Sequence, residues 1–135
     1  PEADKVNAFS NGLDRSISYL ESMGIRVILA YDVPELRYFP RDCLLGSVAC
    51  SFSRQEVLDR QHIHREMLSK LSKKYHLDIF DPLDLFCEQM SDACSSIYEG
   101  RTLYRDSNHL SLYGSDLYGQ MFTQWMSDLS EQASD

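Results

Sequence analysis

The chain has 135 residues, a length typical of one domain, and its composition (43% hydrophobic, 25% charged) is that of a folded protein rather than a disordered one. Lysine and arginine number 13 against 21 aspartate and glutamate, which gives a formal net charge of −8 at pH 7. Because no basic face is visible in the sequence, this balance excludes nucleic acid as a partner and argues against an anionic membrane surface.

The first third of the chain predicts a helix followed by a buried strand. Apolar residues recur at three- and four-residue steps from Val6 to Leu20, which is typical of an amphipathic helix, and Gly24 is a natural helix terminator. The nearly continuous apolar run Ile25–Tyr31 predicts a strand buried on both faces of a parallel sheet. No apolar run is long enough to span a membrane. A loop is expected from Asp32 to Phe52.

The middle of the chain predicts a long helix and a second strand. Ser53 and Glu56 form a capping box, in which a hydroxyl and a carboxylate three residues apart satisfy the first N–H groups of a helix. This helix is expected to reach about Tyr75. The short apolar segment Leu77–Phe80 then predicts a strand.

The last third predicts two helices separated by a short extended piece. Asp81 is an N-cap with proline in the following turn, so a helix including Leu83–Met90 is expected. Thr102–Tyr104 is expected to be extended, and Ser111 is the expected N-cap of the final helix. Alternating helices and strands predict an α/β fold with a parallel sheet. Two strands are fewer than the usual five or so, and the pattern therefore resembles the second half of a doubly wound domain.

Four cysteines form two pairs of identical spacing, Cys43 with Cys50 and Cys87 with Cys94. Four cysteines allow three connectivities, of which local pairing within each segment is the simplest. Six intervening residues do not match the spacing of a zinc knuckle, which argues against a metal site. Disulfides are favoured over free buried thiols. Disulfides would place the domain outside the cytosol.

The segment with the clearest chemical content contains Asp106 and His109, just before the last helix. A carboxylate three residues before an imidazole can curl back and fix its tautomer, which is the base-and-orienter half of a nucleophilic triad. A surface turn with an Asx-type hydrogen bond is the alternative. Ser107, Ser111 and Ser115 lie close to His109 in sequence, but none is on a strand-to-helix turn of the kind that exposes a nucleophile.

Other polar residues have simpler interpretations. His64 lies on the apolar face of its helix and is expected to be a hydrogen-bonded core residue, whereas His62 is expected to face solvent. Asp32 follows a buried strand, at the edge where open α/β sheets place their sites, but a cap or turn role is favoured. Asp78 and Asp81 suggest a carboxylate pair, although Asp81 is better explained as a helix cap.

The terminal segment Leu103-Tyr104-Arg105-Asp106-Ser107-Asn108-His109-Leu110-Ser111, followed by Gly114, resembles the last block of SGNH hydrolases. More specifically, it resembles the SGNH domain attached to acyltransferase type 3 membrane proteins. The helix and strand leading into Val33-Pro34-Glu35, and the cysteine pair before the terminal block, are also similar. The resemblance implies a flavodoxin-like parallel sheet with helices on both faces.

The resemblance also implies acyl transfer by serine, histidine and aspartate. His109 would be the general base and then the general acid, and Asp106 would orient it. In the family the serine nucleophile belongs to a Gly-Asp-Ser segment, and a glycine and an asparagine from later blocks complete the oxyanion hole. No Gly-Asp-Ser occurs in this sequence. Residues 1–135 are therefore expected to form a single partial SGNH domain without its N-terminal half, inactive by itself.

The parent protein implied by the resemblance is an O-acyltransferase that transfers an acetyl group to a cell-surface polysaccharide such as O-antigen. Its partners would be the missing half of the domain, a membrane acyltransferase domain and the polysaccharide acceptor, with no metal or cofactor. The location would be the periplasm, in a bacterial inner-membrane protein. Apolar faces left uncovered by the missing half also predict self-association. The alternative is a non-catalytic extracytoplasmic carbohydrate-binding or interaction domain on an SGNH-like scaffold.

Overall fold

The computed structural model describes residues 2–133 and shows a mixed α/β arrangement of helices and short strands. The helices are α1 (Glu2–Ser22), α2 (Pro40–Leu44), α3 (Arg54–Tyr75) and α4 (Leu112–Gln132), with one 3₁₀ turn at Pro82–Leu85. The strands are β1 (Ile28–Ala30), β2 (Ser51–Ser53), β3 (Asp78–Phe80), β4 (Ala93–Ser95), β5 (Ile97–Tyr98) and β6 (Arg101–Thr102). The chain divides into two compact units. One comprises the chain up to Tyr31 with Ile63–Phe80, and the other comprises Asp32–His62 with the chain from Asp81 onward.

The first unit contains the parallel pair that the sequence predicts. Strand β1 pairs with β3 in parallel, with Ile28 opposite Asp78 and Ala30 opposite Phe80. Strand β1 occupies only three residues of the predicted run. Apolar side chains from α1, β1 and α3 form the core of this unit, with Ile17, Leu29, Met67, Leu68 and Leu71 buried. The two segments thus form a βαβ-like pair, as expected from alternating helices and strands.

The predicted ends of α1 and α3 are confirmed. Gly24 adopts φ of 73° and donates its N–H to the carbonyl of Glu21 at 2.9 Å, the left-handed helix termination that glycine adopts without a Cβ penalty. At the start of α3, the hydroxyl of Ser53 accepts the N–H of Glu56 at 3.3 Å. The carboxylate of Asp92 accepts the N–H of Gln55 at 2.8 Å and so caps the same helix from a distant segment.

The second unit is built on short antiparallel pairs that the sequence does not predict. Strand β2 pairs with β4, and β5 pairs with β6. The predicted loop after Asp32 therefore contains α2 and ends in β2. The buried core of the second unit comprises Leu36, Val57, Leu83, Phe86, Leu103 and Tyr104 together with the second cysteine pair. Strands of two or three residues have too few positions to show an alternating pattern, which explains why they escape sequence analysis.

The prediction of a helix over Leu83–Met90 is wrong. Asp81 does cap a turn, because its carboxylate accepts the N–H of Leu83 at 3.0 Å, but this turn is 3₁₀ and ends at Leu85. Cys87 then forms an antiparallel bridge with Cys94, and the two are joined by a disulfide. An extended bridge residue cannot continue a helix, so the cross-link overrides the local helix signal.

Both cysteine pairs are bonded locally, Cys43 to Cys50 and Cys87 to Cys94. Among the described residues, no group of histidine, cysteine, aspartate and glutamate side chains is arranged to hold a metal ion. None of the helices between residues 2 and 133 combines the length and apolar content that crossing a bilayer requires. The parallel sheet has two strands in this part of the chain, which is less than the flavodoxin-like sheet that the family resemblance implies.

Candidate active site

The Asp106–His109 segment is a tight loop closed at its base by backbone hydrogen bonds. Tyr104 and Leu110 form an antiparallel bridge, and the N–H of Arg105 donates to the carbonyl of His109 at 2.9 Å. Helix α4 begins two residues after this bridge, at Leu112. The loop is therefore held between a buried tyrosine on one side and a helix start on the other.

Within this loop the two side chains meet. The Nδ1 atom of His109 lies 3.0 Å from Oδ1 and 2.9 Å from Oδ2 of Asp106. An ionised carboxylate accepts hydrogen bonds but donates none, so this contact assigns the proton to Nδ1 and leaves Nε2 as the basic nitrogen. The His109 side chain is 65% exposed and that of Asp106 is 32% exposed. The basic nitrogen thus belongs to a ring that a second group can approach.

The charge of Asp106 is set chiefly by the backbone. The N–H groups of Asn108 and His109 both donate to Oδ1, at 3.1 and 2.8 Å. These hydrogen bonds lower the pKa of Asp106 from 3.8 to about 2. The N–H of Asn108 has the largest effect, followed by the N–H of His109 and then by its imidazole. The carboxylate is therefore ionised throughout the physiological range and can accept the hydrogen bond from Nδ1.

The predicted cap of α4 also anchors the loop. The hydroxyl of Ser111 accepts the N–H of Gly114 at 3.0 Å and donates to the carbonyl of Thr102 at 2.8 Å. Gly114 is buried directly against the backbone of Leu103, where a Cβ would overlap the carbonyl oxygen. Helix α4 can pack this closely only because residue 114 has no side chain.

None of the nearby serines is placed as a nucleophile for His109. The hydroxyl of Ser111 is engaged as the helix cap and as a donor to Thr102. Ser115 is exposed within the first turns of α4, and the carbonyl of Ser107 accepts the N–H of Leu36 at 2.7 Å. In the described part of the chain, no hydroxyl of these three serines donates to the imidazole. The pair therefore has its orienting acid in place without a serine partner from this segment.

The other polar candidates serve structural purposes. Asp32 accepts its neighbour's N–H at 2.9 Å, the turn role that its position favours. Asp78 pairs with Arg26 at 3.2 Å, and Asp81 caps the 3₁₀ turn, so they do not form a shared carboxylate site. His62 is exposed as predicted, with Nδ1 2.7 Å from the carbonyl of Asp59.

His64 is half-buried on α3, which is less enclosed than the core position that the sequence predicts. The sequence also gives no sign of the contacts that hold the loop from outside. The most important of these join Leu36 to Ser107 and Tyr104 to Pro34, and both link segments far apart in the chain. A local pattern carries no signal for such contacts.

A mixed α/β domain with an acid and an imidazole three residues apart, just before its last helix, is typical of the SGNH class of hydrolases and acyltransferases. The model of one family, the SGNH domain (fused to AT3 domains), matches residues 1–124 of this chain. The chain therefore belongs to this family. No curated protein and no solved structure matches it significantly. The match includes the whole Asp106–His109 loop and most of α4.

Proposed function

We propose that this domain supplies the acid–base pair of a serine acyl-transfer site in a protein that also carries an AT3 acyltransferase domain. The observation that carries the proposal is the contact between the Asp106 carboxylate and Nδ1 of an exposed His109 ring. Membership of the family of SGNH domains fused to AT3 domains supports an acyltransferase or esterase role for the parent protein.

In the proposed reaction, Nε2 of His109 accepts the proton of a serine hydroxyl while the serine oxygen bonds to the acyl carbonyl carbon. The tetrahedral intermediate expels the donor group, which takes the proton from His109, and an acyl-serine remains. In the second half, Nε2 of His109 accepts the proton of the acceptor hydroxyl while the acceptor oxygen bonds to the acyl carbon. The serine oxygen then leaves and takes the proton back from His109, and the acceptor carries the acyl group as an ester. Asp106 stays ionised and holds the imidazolium. The nucleophilic serine lies outside this sequence, in the Gly-Asp-Ser segment of the family.

The proposed substrate is an acetyl group, delivered by the membrane acyltransferase domain and transferred to a cell-surface polysaccharide such as O-antigen. Two disulfides support an oxidising compartment, which for this reaction is the periplasm. No bound metal or cofactor takes part in the proposed chemistry of this domain.

The proposal also includes the architecture of the complete domain. Among the described residues, β1 and β3 have only each other as sheet partners, so each leaves one edge unpaired. We expect strands from the N-terminal half to extend this parallel pair into a flavodoxin-like sheet. The serine would then follow the first strand of that half.

The test uses the full parent protein with its membrane domain. His109→Ala is expected to reduce polysaccharide acetylation by about 10⁴-fold or more. Asp106→Asn favours the wrong tautomer of His109 and is expected to reduce acetylation by up to about 10⁴-fold. Acetyl content of the polysaccharide is measured by NMR. His62→Ala is the matched control, since His62 is an exposed histidine of the same domain, and should leave acetylation unchanged.

One observation favours the alternative, a non-catalytic extracytoplasmic carbohydrate-binding or interaction domain. The three serines nearest to His109 in sequence make no hydrogen bond to its ring. Acetylation that persists in His109→Ala, together with polysaccharide binding by the isolated chain, would establish this alternative and reject the catalytic role.

A further inference from the structure

We infer that Arg60 and Gln61 are positioning residues for the Asp106–His109 loop, acting through the segment Asp32–Leu36. We call this segment the strap. The inference rests on the proposed role of His109, and it adds two residues of α3 that the sequence analysis does not single out. A chain of hydrogen bonds connects α3 to the strap and the strap to the loop.

The first link joins α3 to the strap. Arg60 donates from Nη1 to the carbonyl of Glu35 at 3.0 Å and from Nη2 to its carboxylate at 2.7 Å. The adjacent Gln61 donates from Nε2 to the carbonyls of Asp32 and Val33, at 3.1 and 3.2 Å. Two consecutive residues thus hold both ends of the strap. The planar guanidinium suits this role because its donors form a fixed fork.

The second link joins the strap to the loop at two points. The N–H of Leu36 donates to the carbonyl of Ser107 at 2.7 Å, and the hydroxyl of Tyr104 donates to the carbonyl of Pro34 at 2.7 Å. Pro34, Leu36 and Tyr104 are all buried, so these contacts are shielded from water. The strap therefore supports the base of the loop through Tyr104 and its tip through Ser107.

The contact with Ser107 acts directly on the acid. The carbonyl of Ser107 and the N–H of Asn108 belong to one planar peptide group. The N–H of Leu36 donates to the oxygen of this group, and the N–H of Asn108 at its other end donates to Oδ1 of Asp106 at 3.1 Å. Fixing the oxygen therefore fixes the direction of the N–H, which is the donor with the largest influence on Asp106. Hydrogen bonds at both ends of one peptide group also polarise and strengthen each other.

The surrounding charges do not offer a simpler explanation of the arrangement. Arg60 is neutralised by Glu35, and Gln61 carries no charge. We call Arg60 and Gln61, with their hydrogen bonds to the strap, the clamp. Arg37, on the other side of Leu36, lies 3.8 Å from Glu56 and makes no hydrogen bond to the strap. Arg105 lies 3.7 Å from the Asp106 carboxylate and is itself part of the loop. What Arg60 and Gln61 share is their hydrogen bonding to the strap.

The experiment compares Arg60→Ala and Gln61→Ala with the unchanged 135-residue chain by NMR. Two quantities are followed, the carboxyl titration of Asp106 and the amide hydrogen exchange of Asn108. Both variants are expected to move the titration midpoint of Asp106 upward by half a pH unit or more and to accelerate exchange at Asn108 at least tenfold. A merely structural role of the clamp would leave the Asp106 midpoint in place.

Arg37→Ala is the matched control, because it also removes one positive charge next to Leu36 but leaves the clamp intact. An equal shift of the Asp106 midpoint in Arg37→Ala would overturn the inference in favour of a charge effect, and so would unchanged values in both clamp variants. Exchange at Gly114, which is capped by Ser111, reports whether the fold is intact. If Arg60→Ala loses protection at Gly114, the neutral variant Gln61→Ala decides by the same criteria.

A second measurement keeps this inference separate from the proposed function. In the full parent protein, Arg60→Ala and Gln61→Ala are expected to lower kcat for acetylation about tenfold with KM unchanged, and Arg60→Lys is expected to recover part of the loss. If Arg60→Ala and Gln61→Ala shift the Asp106 midpoint but His109→Ala acetylates normally, the catalytic role of His109 is rejected and the positioning of Asp106 is kept. If the two variants leave the midpoint unchanged but His109→Ala is inactive, only the positioning role is rejected.

Discussion

At the residue scale, Asp106 is distinguished by the number of donors that converge on its carboxylate. Two backbone N–H groups and one imidazole nitrogen contact it, although its side chain is about one-third exposed. Donors of this kind stabilise the ionised form, and the lowered pKa of the carboxyl expresses that preference. The folded loop therefore contains a permanent anion beside an exposed base.

We predict that the carboxyl of Asp106 titrates with a midpoint of about 2 rather than 3.8. Because the pKa is lower in the folded state, the hydrogen bonds of Asp106 stabilise the fold fully above pH 3.8, and this contribution is lost as the pH falls through about 2. Carbon-13 NMR of the side-chain carboxyl measures the midpoint, with Asp106→Asn to assign the signal. A midpoint close to 3.8 would mean that the backbone donors do not hold the carboxylate.

The contact between Asp106 and His109 could be predicted from the sequence because it is local. Asp106 and His109 are three residues apart, and an aspartate can reach N–H groups two and three residues ahead within a turn. The strap could not be predicted in this way. Its bond from Leu36 to Ser107 depends on how distant segments pack, and neither residue has a side-chain signature for a backbone contact.

At the scale of elements, helix ends follow the sequence more closely than strands do. Ser53, Asp81 and Ser111 cap their helices with side-chain oxygens, as their positions predict. A cap is formed within three residues and needs no information from elsewhere. The lengths of the elements depend on distant partners instead. Arg54, for example, donates to the carbonyl of Glu88 at 3.1 Å, in the segment where the predicted helix fails to form.

We predict opposite effects for two glycines of α4. A Cβ at Gly114 would lie 2.9 Å from the carbonyl carbon of Leu103 and closer still to its oxygen, so Gly114→Ala forces α4 away from the loop. The expected loss in the free energy of unfolding is about 1–3 kcal/mol or more. Gly119 has open space around its Cα, and Gly119→Ala is expected to add about 0.5–1 kcal/mol because alanine favours the helix.

Urea denaturation of both variants measures these changes against the unchanged chain. Gly119→Ala is the matched control, since it makes the same substitution in the same helix. Equal stability of the two variants would show that α4 does not depend on close contact with Leu103. Because the helix cap and the loop share this contact, Gly114→Ala should also disturb the chemical shifts of His109.

At the scale of the whole molecule, the first unit leaves large apolar side chains in solvent. Phe9 is 57% exposed, Tyr19 66% and Met23 54%, and all three lie on α1 or directly after it. A sheet of two short strands covers little of the apolar surface of the helices packed on it, whereas a full sheet of about five or six strands would cover more. We expect these side chains to contact the N-terminal half of the domain or a second copy of the chain.

We predict that the purified 135-residue chain hydrolyses p-nitrophenyl acetate no faster than free imidazole at the same concentration of imidazole rings, because imidazole attacks this activated ester directly. The base needs a nucleophile whose proton it can accept, and Ser107, Ser111 and Ser115 do not bond to His109. Each missing oxyanion donor costs a further 10²–10³ in rate, roughly, so the oriented imidazole alone gives only slow direct attack on the activated ester and no acyl-serine. Adding a segment that contains the Gly-Asp-Ser block should produce turnover that disappears in His109→Ala. Turnover by the chain alone that is well above that of free imidazole and is lost in His109→Ala would reveal a nucleophile within this sequence, and the three serines would then be replaced one at a time.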